Sequence, residues 1–200
     1  MQASNVDKRQ LDEQTIRGVA ELQAAVLPTS LISRLGTGFV REFYRFANRS
    51  PKEIVLWRSD DSGVVGVCVV SLDPGSLTRR LLFQTSLAFR LLRLPIRTLL
   101  RQLMPASNAA DKIGDMPELI LLFTRAEKRS QGIGSQLVME CESQLARRGV
   151  RKYYVKTFDA EGDRAVAFYL REGFEDCGAH VVFNERFRFL SRTVRSAPSN

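Results

Sequence analysis

Residues 118–149 read ELILLFTRAEKRSQGIGSQLVMECESQLARRG, and the fold turns on how this stretch divides. Glu118 to Thr124 is a short, nearly continuous apolar run, the pattern of a strand covered on both faces. From about Gly132 to Arg148 the spacing becomes helical. Gly134, Leu137, Val138, Cys141 and Leu145 fall along one face, with Glu140, Gln144, Arg147 and Arg148 mostly outside it. Gly149 stands where such a helix stops. A buried strand, a glycine-bearing turn and an amphipathic helix thus follow one another.

A helix opening presents N–H groups without intrahelical acceptors and carries partial positive charge. Two glycines let a ligand come close to that backbone, so Gln131 to Ser135 is a candidate site for a phosphate or pyrophosphate. The Walker A order G-x-x-x-x-G-K-[S/T] is absent. Leu137 stands where a dinucleotide fingerprint needs its third glycine. Taken alone, the glycine pair is equally consistent with a plain tight turn.

A second motif narrows the choice. Arg129-x-x-Gly132-x-Gly134 resembles the [Q/R]-x-x-G-x-[G/A] signature of the GNAT acetyltransferases, in its usual place between strand and helix. Further on, Arg164-Ala165-Val166-Ala167-Phe168-Tyr169-Leu170-Arg171-Glu172-Gly173-Phe174 is similar to that family's A-x-x-[FL]-Y-x-x-x-G-F motif. Order, spacing and the intervening strand all fit, over roughly residues 50–190. Two departures stand out: Gly162 replaces a frequent Asn that contacts the pantetheine arm, and Ala126 replaces a common Pro.

The resemblance implies a mixed, three-layer α/β/α domain. Its twisted, mostly antiparallel sheet would have splayed central strands and helices on both faces. It implies acetyl-CoA as co-substrate, without a metal. The cofactor would lie along Phe123, Thr124 and Arg125 at the strand end and on the loop of Arg129, Ser130, Gln131, Gly132, Ile133, Gly134 and Ser135. Arg125, Lys128 and Arg129 lie near enough in sequence to meet CoA phosphates, or are simply solvated. Free backbone groups of the splayed strand would polarise the thioester carbonyl for direct attack by a neutral amine. Tyr169 matches the tyrosine that family members use to protonate the departing thiolate. A phenol of pKa about 10 can serve a thiolate whose conjugate acid lies near about 8.5. Glu118 falls where many relatives carry a catalytic Glu, and reads equally well as an ordinary strand-end carboxylate. Asp159 and Glu161 are weaker candidates for the base.

Outward from this centre, residues 11–49 read as two helices broken at Pro28-Thr29-Ser30, with Ser30 as an N-cap. Ile16, Val19, Ala20 and Val26 face one way in the first; Leu31, Leu35, Phe39, Phe43 and Phe46 recur in the second. Glu53–Arg58 and Val64–Leu72 read as a hairpin around Asp60-Asp61-Ser62-Gly63. Arg151–Phe158 reads as a strand, Asp163–Glu172 as a short helix, and Val181–Leu190 as a strand with Phe183, Phe187 and Phe189 on one face. Trp57 suits the core or a groove wall, and His180 a strand surface.

Residues 76–104 read as a helical, basic insert within an expected single 1–200 domain. Six arginines and no acid lie between Pro74 and Ala110. Arg90, Arg93, Arg97 and Arg101 share one face if that helix is continuous. Three readings stand: a packed extra hairpin with solvated arginines, an acceptor-site wall for a phosphorylated substrate, or peripheral contact with a membrane surface.

The net charge of +8 favours anionic partners without naming one. No helix-turn-helix, RNP-type motif or zinc finger points to nucleic acid, so a noncatalytic basic binding protein is the rival from another class. Three isolated cysteines argue for a reducing compartment and the N-terminal residues show no apolar segment, so a cytoplasmic setting is the expectation. The acceptor expected is the primary amine of a small molecule such as an amino sugar in glycan biosynthesis, with a protein N-terminus or lysine as the alternative. A homodimer is compatible with all of this.

Overall fold

The computed structural model describes residues 11–28, 30–84, 116–159, 164–182 and 185–195. Helices α1 (Glu13–Val26), α2 (Leu31–Arg34) and α3 (Thr37–Arg49) precede strands β1 (Glu53–Asp60) and β2 (Gly63–Ser71). Helix α4 (Pro74–Gln84) and strand β3 (Glu118–Thr124) follow. Next come a short 3-10 turn (Ala126–Lys128), helix α5 (Ile133–Ala146), strand β4 (Lys152–Phe158), helix α6 (Arg164–Arg171), and strands β5 (Glu175–Val182) and β6 (Glu185–Thr193). The sheet order is β1-β2-β3-β4-β6-β5, antiparallel everywhere except between β3 and β4.

Two cores flank the sheet. On one face, Val19 of α1 and Val40, Phe43 and Tyr44 of α3 pack with Val67, Val69 and Phe123. There the buried Tyr44 hydroxyl donates to Gln23 Oε1 at 2.6 Å, so its burial leaves no unpaired donor. On the other face, Leu137, Val138, Cys141 and Leu145 of α5, with Tyr169 and Phe174, cover Leu56, Cys68, Leu119, Tyr153, Val155 and Leu190. The helical face read from sequence is the buried one. Strand β2 is buried from Val64 to Ser71 because it is sandwiched between these layers.

The chain departs from the sequence reading in three places. The helix read across 31–49 is two helices, because Gly36 takes φ +88° and caps the second. The strand read across 181–190 is the junction of β5 and β6, which meet at Val182↔Glu185. Strand β5 escapes notice because EDCGAHVV does not alternate and bends at Gly178, φ +94°. Of the basic insert, only the stretch in α4 falls within the described residues. There Arg80 forks onto Glu53, whose side chain is fully buried, with Nη2 to Oε1 at 2.7 Å. The shared face of Arg90, Arg93, Arg97 and Arg101 lies outside the described residues. Among the described residues, no helix is long and apolar enough to cross a membrane.

Candidate active site

The site begins where the sheet comes apart. Strands β3 and β4 register only at Glu118↔Tyr154 and Leu119↔Val155. Beyond that point β3 stays with β2 as far as Thr124↔Gly66, and β4 stays with β6 as far as Phe158↔Phe187. The extra residue Ile120, between partners Val70↔Leu119 and Val69↔Leu121, bulges β3 where the pairing ends. Bulges add twist and bend a strand, so the parting has a local cause. The facing edges past it carry N–H and C=O groups that no sheet partner takes up, an arrangement suited to an extended amide-bearing ligand.

Glu118 sits at the mouth of this gap with its side chain 7% exposed. Its Oε2 accepts from the Tyr154 hydroxyl at 2.8 Å, and its Oε1 pairs with Lys156 Nζ at 3.0 Å. Burial, and then the Glu118 charge, push the Tyr154 phenol well above its ordinary value, which keeps it a donor. Lys156 and Tyr154 escaped the sequence reading, although the run KYYVK signals them by placing Lys152, Tyr154 and Lys156 on one face. A cavity of about 280 Å³ opens on that face, lined by Lys152, Tyr154, Cys177, His180 and Phe189 among others.

The loop beyond β3 turns on two left-handed residues, Ser130 at φ 61° and Gly132 at φ 76°. Gly132 caps α5 without a side chain, so the first-turn amides of α5 look out of the helix end. The two glycines have different reasons. Gly132 is required by its backbone angle. At Gly134 a Cβ would stand 3.2 Å from the Phe168 ring, so this glycine serves the contact of α5 with α6. The Ile133 side chain points inward onto Gly66 of β2, leaving only its backbone for a ligand. The Ser135 hydroxyl donates to Glu172 at 2.6 Å, and Gln131 Nε2 to the Glu127 carbonyl at 3.4 Å.

The basic residues of the turn divide likewise. Arg125 Nη2 donates to the Val64 carbonyl at 3.0 Å, and Lys128 pairs with Asp60 at 2.7 Å; both fasten the turn to the β1–β2 hairpin. Arg129 is exposed on the loop. Phe123 is buried on the α1/α3 side, while Thr124 sits near Gly66 at the end of the parted edge.

Tyr169 is 5% exposed and lies edge-on to Phe168 and Phe174, at 5.3 and 5.1 Å between centroids. It is therefore core as well as candidate acid. Asp159 is held by Arg186 and Arg188, each at 2.6 Å, which lowers its pKa chiefly through the Arg188 hydrogen bond. Glu161 and Gly162 lie outside the described residues. Sequence reading also missed the buried pair of Glu142 on α5 and Arg192 on β6, Oε1 to Nε 2.7 Å, with the Tyr153 hydroxyl on the same carboxylate. Glu140, read as outward-facing, pairs with Arg58 of β1 at 2.8 Å and is largely buried.

The sequence matches the acetyltransferase (GNAT) family over residues 23–174. No curated protein matches it. Among solved structures, the protein named SsHAT superposes with a TM-score of 0.68 at 16% identity, covering 94% of this chain and 98% of that one. An aminoglycoside 6'-N-acetyltransferase complexed with coenzyme A gives 0.60 at 15% identity, covering 96% and 98%. The ribosomal-protein-S18-alanine N-acetyltransferase of Escherichia coli gives 0.58 at 10% identity, covering 96% of each chain. At these identities the likeness is one of fold. The family match spans more than half of the sequence, and the chain belongs to the acetyltransferase (GNAT) family.

Proposed function

We propose that this chain transfers an acetyl group from acetyl-CoA to the primary amine of a small acceptor, with amino sugars the first class to try. The observation that carries this reading is the two-residue pairing of β3 with β4 beside the opening of α5, where no side chain takes up the first amides. In it, the amides of Gln131 to Ser135 hold the pyrophosphate, and the end of β3 at Phe123, Thr124 and Arg125 holds the pantetheine arm through the Thr124 backbone, since the Arg125 N–H is taken by the Val65 carbonyl. Acetyl-CoA supplies the activated acyl group; the chain aligns it, keeps water out and moves protons. Glu118 is the candidate base, taking the amine's proton directly or through water. Tyr169 is the candidate acid for the leaving thiolate, and its burial among aromatic rings fixes the phenol in place.

The cavity beside Tyr154 and Phe189 gives an acceptor an aromatic wall, and Lys152 and His180 line it from the same face. That combination supports a compact polar amine over an extended peptide. The three free thiols support a cytoplasmic setting, and one domain over 1–200 is the simplest organisation.

The test is an acetyl-CoA consumption screen over amino sugars, polyamines, amino acids and peptides, preceded by a binding measurement. At 100 times its dissociation constant a ligand adds about 2.7 kcal/mol. Acetyl-CoA should therefore raise the melting point by roughly 5–11 °C for a chain of this size, and NADH and ATP by less. No shift with any acyl-CoA at saturation refutes the reading.

A further inference from the structure

We propose that Lys156 is a site of self-acetylation, an amine that the fold itself delivers to the acyl-transfer centre. This inference rests on the acyl-transfer reading above. Lys156 is the first residue of β4 beyond its last register with β3, so its side chain leaves the strand where the gap begins. Its Nζ lies 3.0 Å from Oε1 of Glu118, the candidate base. The carboxylate is 7% exposed and the lysine 42%, so the base is sheltered while the amine stays in reach of water and of an incoming thioester. Tyr154 fixes the second carboxylate oxygen, which leaves Oε1 aimed at the amine.

Nucleophile and base are thus within hydrogen-bond reach before any acceptor arrives, the arrangement that amine acylation needs. The other described lysines differ. Lys52 pairs with Asp73 and Lys128 with Asp60, both away from the parted edges. Lys152 lies on the same strand and face, but before the registered pairs.

The step balances without a further reactant. The Lys156 ammonium loses one proton to water. The neutral Nζ attacks the thioester carbonyl carbon, an N–C bond forms and the C–S bond breaks. The second amine proton passes to Glu118 and on to solvent, and CoA leaves as a thiolate that is protonated in turn. The product is an uncharged amide, which can no longer form an ion pair with Glu118.

The experiment needs acetyl-CoA alone as the probe. The purified full chain is incubated with it in the absence of any acceptor, and modified residues are mapped by peptide mass spectrometry over a dilution series. The expected result is one acetyl group on Lys156, forming at a rate independent of protein concentration, ahead of Lys52, Lys128 and Lys152. In Glu118→Gln the rate at Lys156 should drop about 10²-fold, the scale of a lost general base. The wild-type site map and dilution series decide the matter even if that variant does not fold. Acetyl-CoA raising the melting point while Lys156 stays unmodified overturns this inference alone. Acetylation spread evenly over the lysines, or rising with protein concentration, also overturns it. Absence of both binding and acetylation overturns the acyl-transfer reading beneath it.

Discussion

Substituting Gly66 by Ala tests how far the proposed cofactor loop depends on packing behind it. Gly66 lies on β2, opposite Thr124, and touches no proposed ligand group. A Cβ there would stand 2.7 Å from Ile133 Cγ2, 3.1 Å from Leu137 Cδ1 and 3.4 Å from Thr124 Cγ2. Carbon atoms rest at about 3.5–4.0 Å, so the Ile133 contact is short by roughly 1 Å. Leu137 Cδ1 is the end of a flexible chain and can turn aside. Ile133 Cγ2 cannot, because it branches from Cβ in the first turn of α5 and its χ1 is stiff there. Helix α5 must therefore shift at its opening. Overpacking of this kind costs about 1–3 kcal/mol, and at this size the melting point should fall by roughly 2–12 °C. The shift also moves the first-turn amides. Losing one hydrogen bond to a charged group, about 1.5–3 kcal/mol, weakens acetyl-CoA by roughly tenfold to a hundredfold. Thermal unfolding and an acetyl-CoA titration read both effects. Unchanged stability together with unchanged affinity would refute the claim that Gly66 seats the loop.

Tyr169→Phe keeps the ring between Phe168 and Phe174 and removes only the hydroxyl; turnover should fall about 10²–10⁴-fold with acetyl-CoA affinity little changed. Full turnover in a stable variant removes Tyr169 from the mechanism. Arg192→Met leaves Glu142 buried without its cation and should cost about 3–5 kcal/mol, whereas adding Glu142→Leu should restore much of the loss; thermal unfolding of the single and double variants beside the unaltered chain checks this. Asp73 accepts from Lys52 at 2.5 Å and from Ser76, and the Lys52 contact leads in lowering its pKa to about 2. A lowered carboxylate stabilises above its unfolded value of about 3.9, and that advantage disappears as the pH falls through the folded value. The melting-point gap between the chain and its Asp73→Asn variant should thus be constant above about pH 5 and close toward about pH 2.

The central strand–turn–helix was legible because each part carries a short-range signal: an apolar run, a left-handed glycine and a helical apolar face. The parted strands were foreseeable only through the family resemblance, since the bulge at Ile120 has no mark in ELILLFT. Long-range pairings stayed hidden for a related reason. Glu142 and Arg192 are distant in sequence, and a charged residue on a helix reads as solvent-facing until the partner strand is placed beneath it. The same holds for Glu140 with Arg58. Gly134 shows a motif position read with the wrong emphasis: its lack of a side chain admits Phe168, which no local pattern announces.

The parting of β3 from β4 also has a mechanical side. The sheet is in effect two leaves, β1-β2-β3 and β4-β6-β5, stitched by two residue pairs and riveted from behind by α5, which packs on the first leaf and anchors to the second through Glu142 and Arg192. A cofactor arm bound as proposed between the leaves would take hydrogen bonds from β3 and so act as part of the weave. Occupancy of the gap should then register as slowed amide exchange at Leu122, Thr124 and Lys156 along the hem, while Val67 to Val70, already laced on both sides, stay as they were.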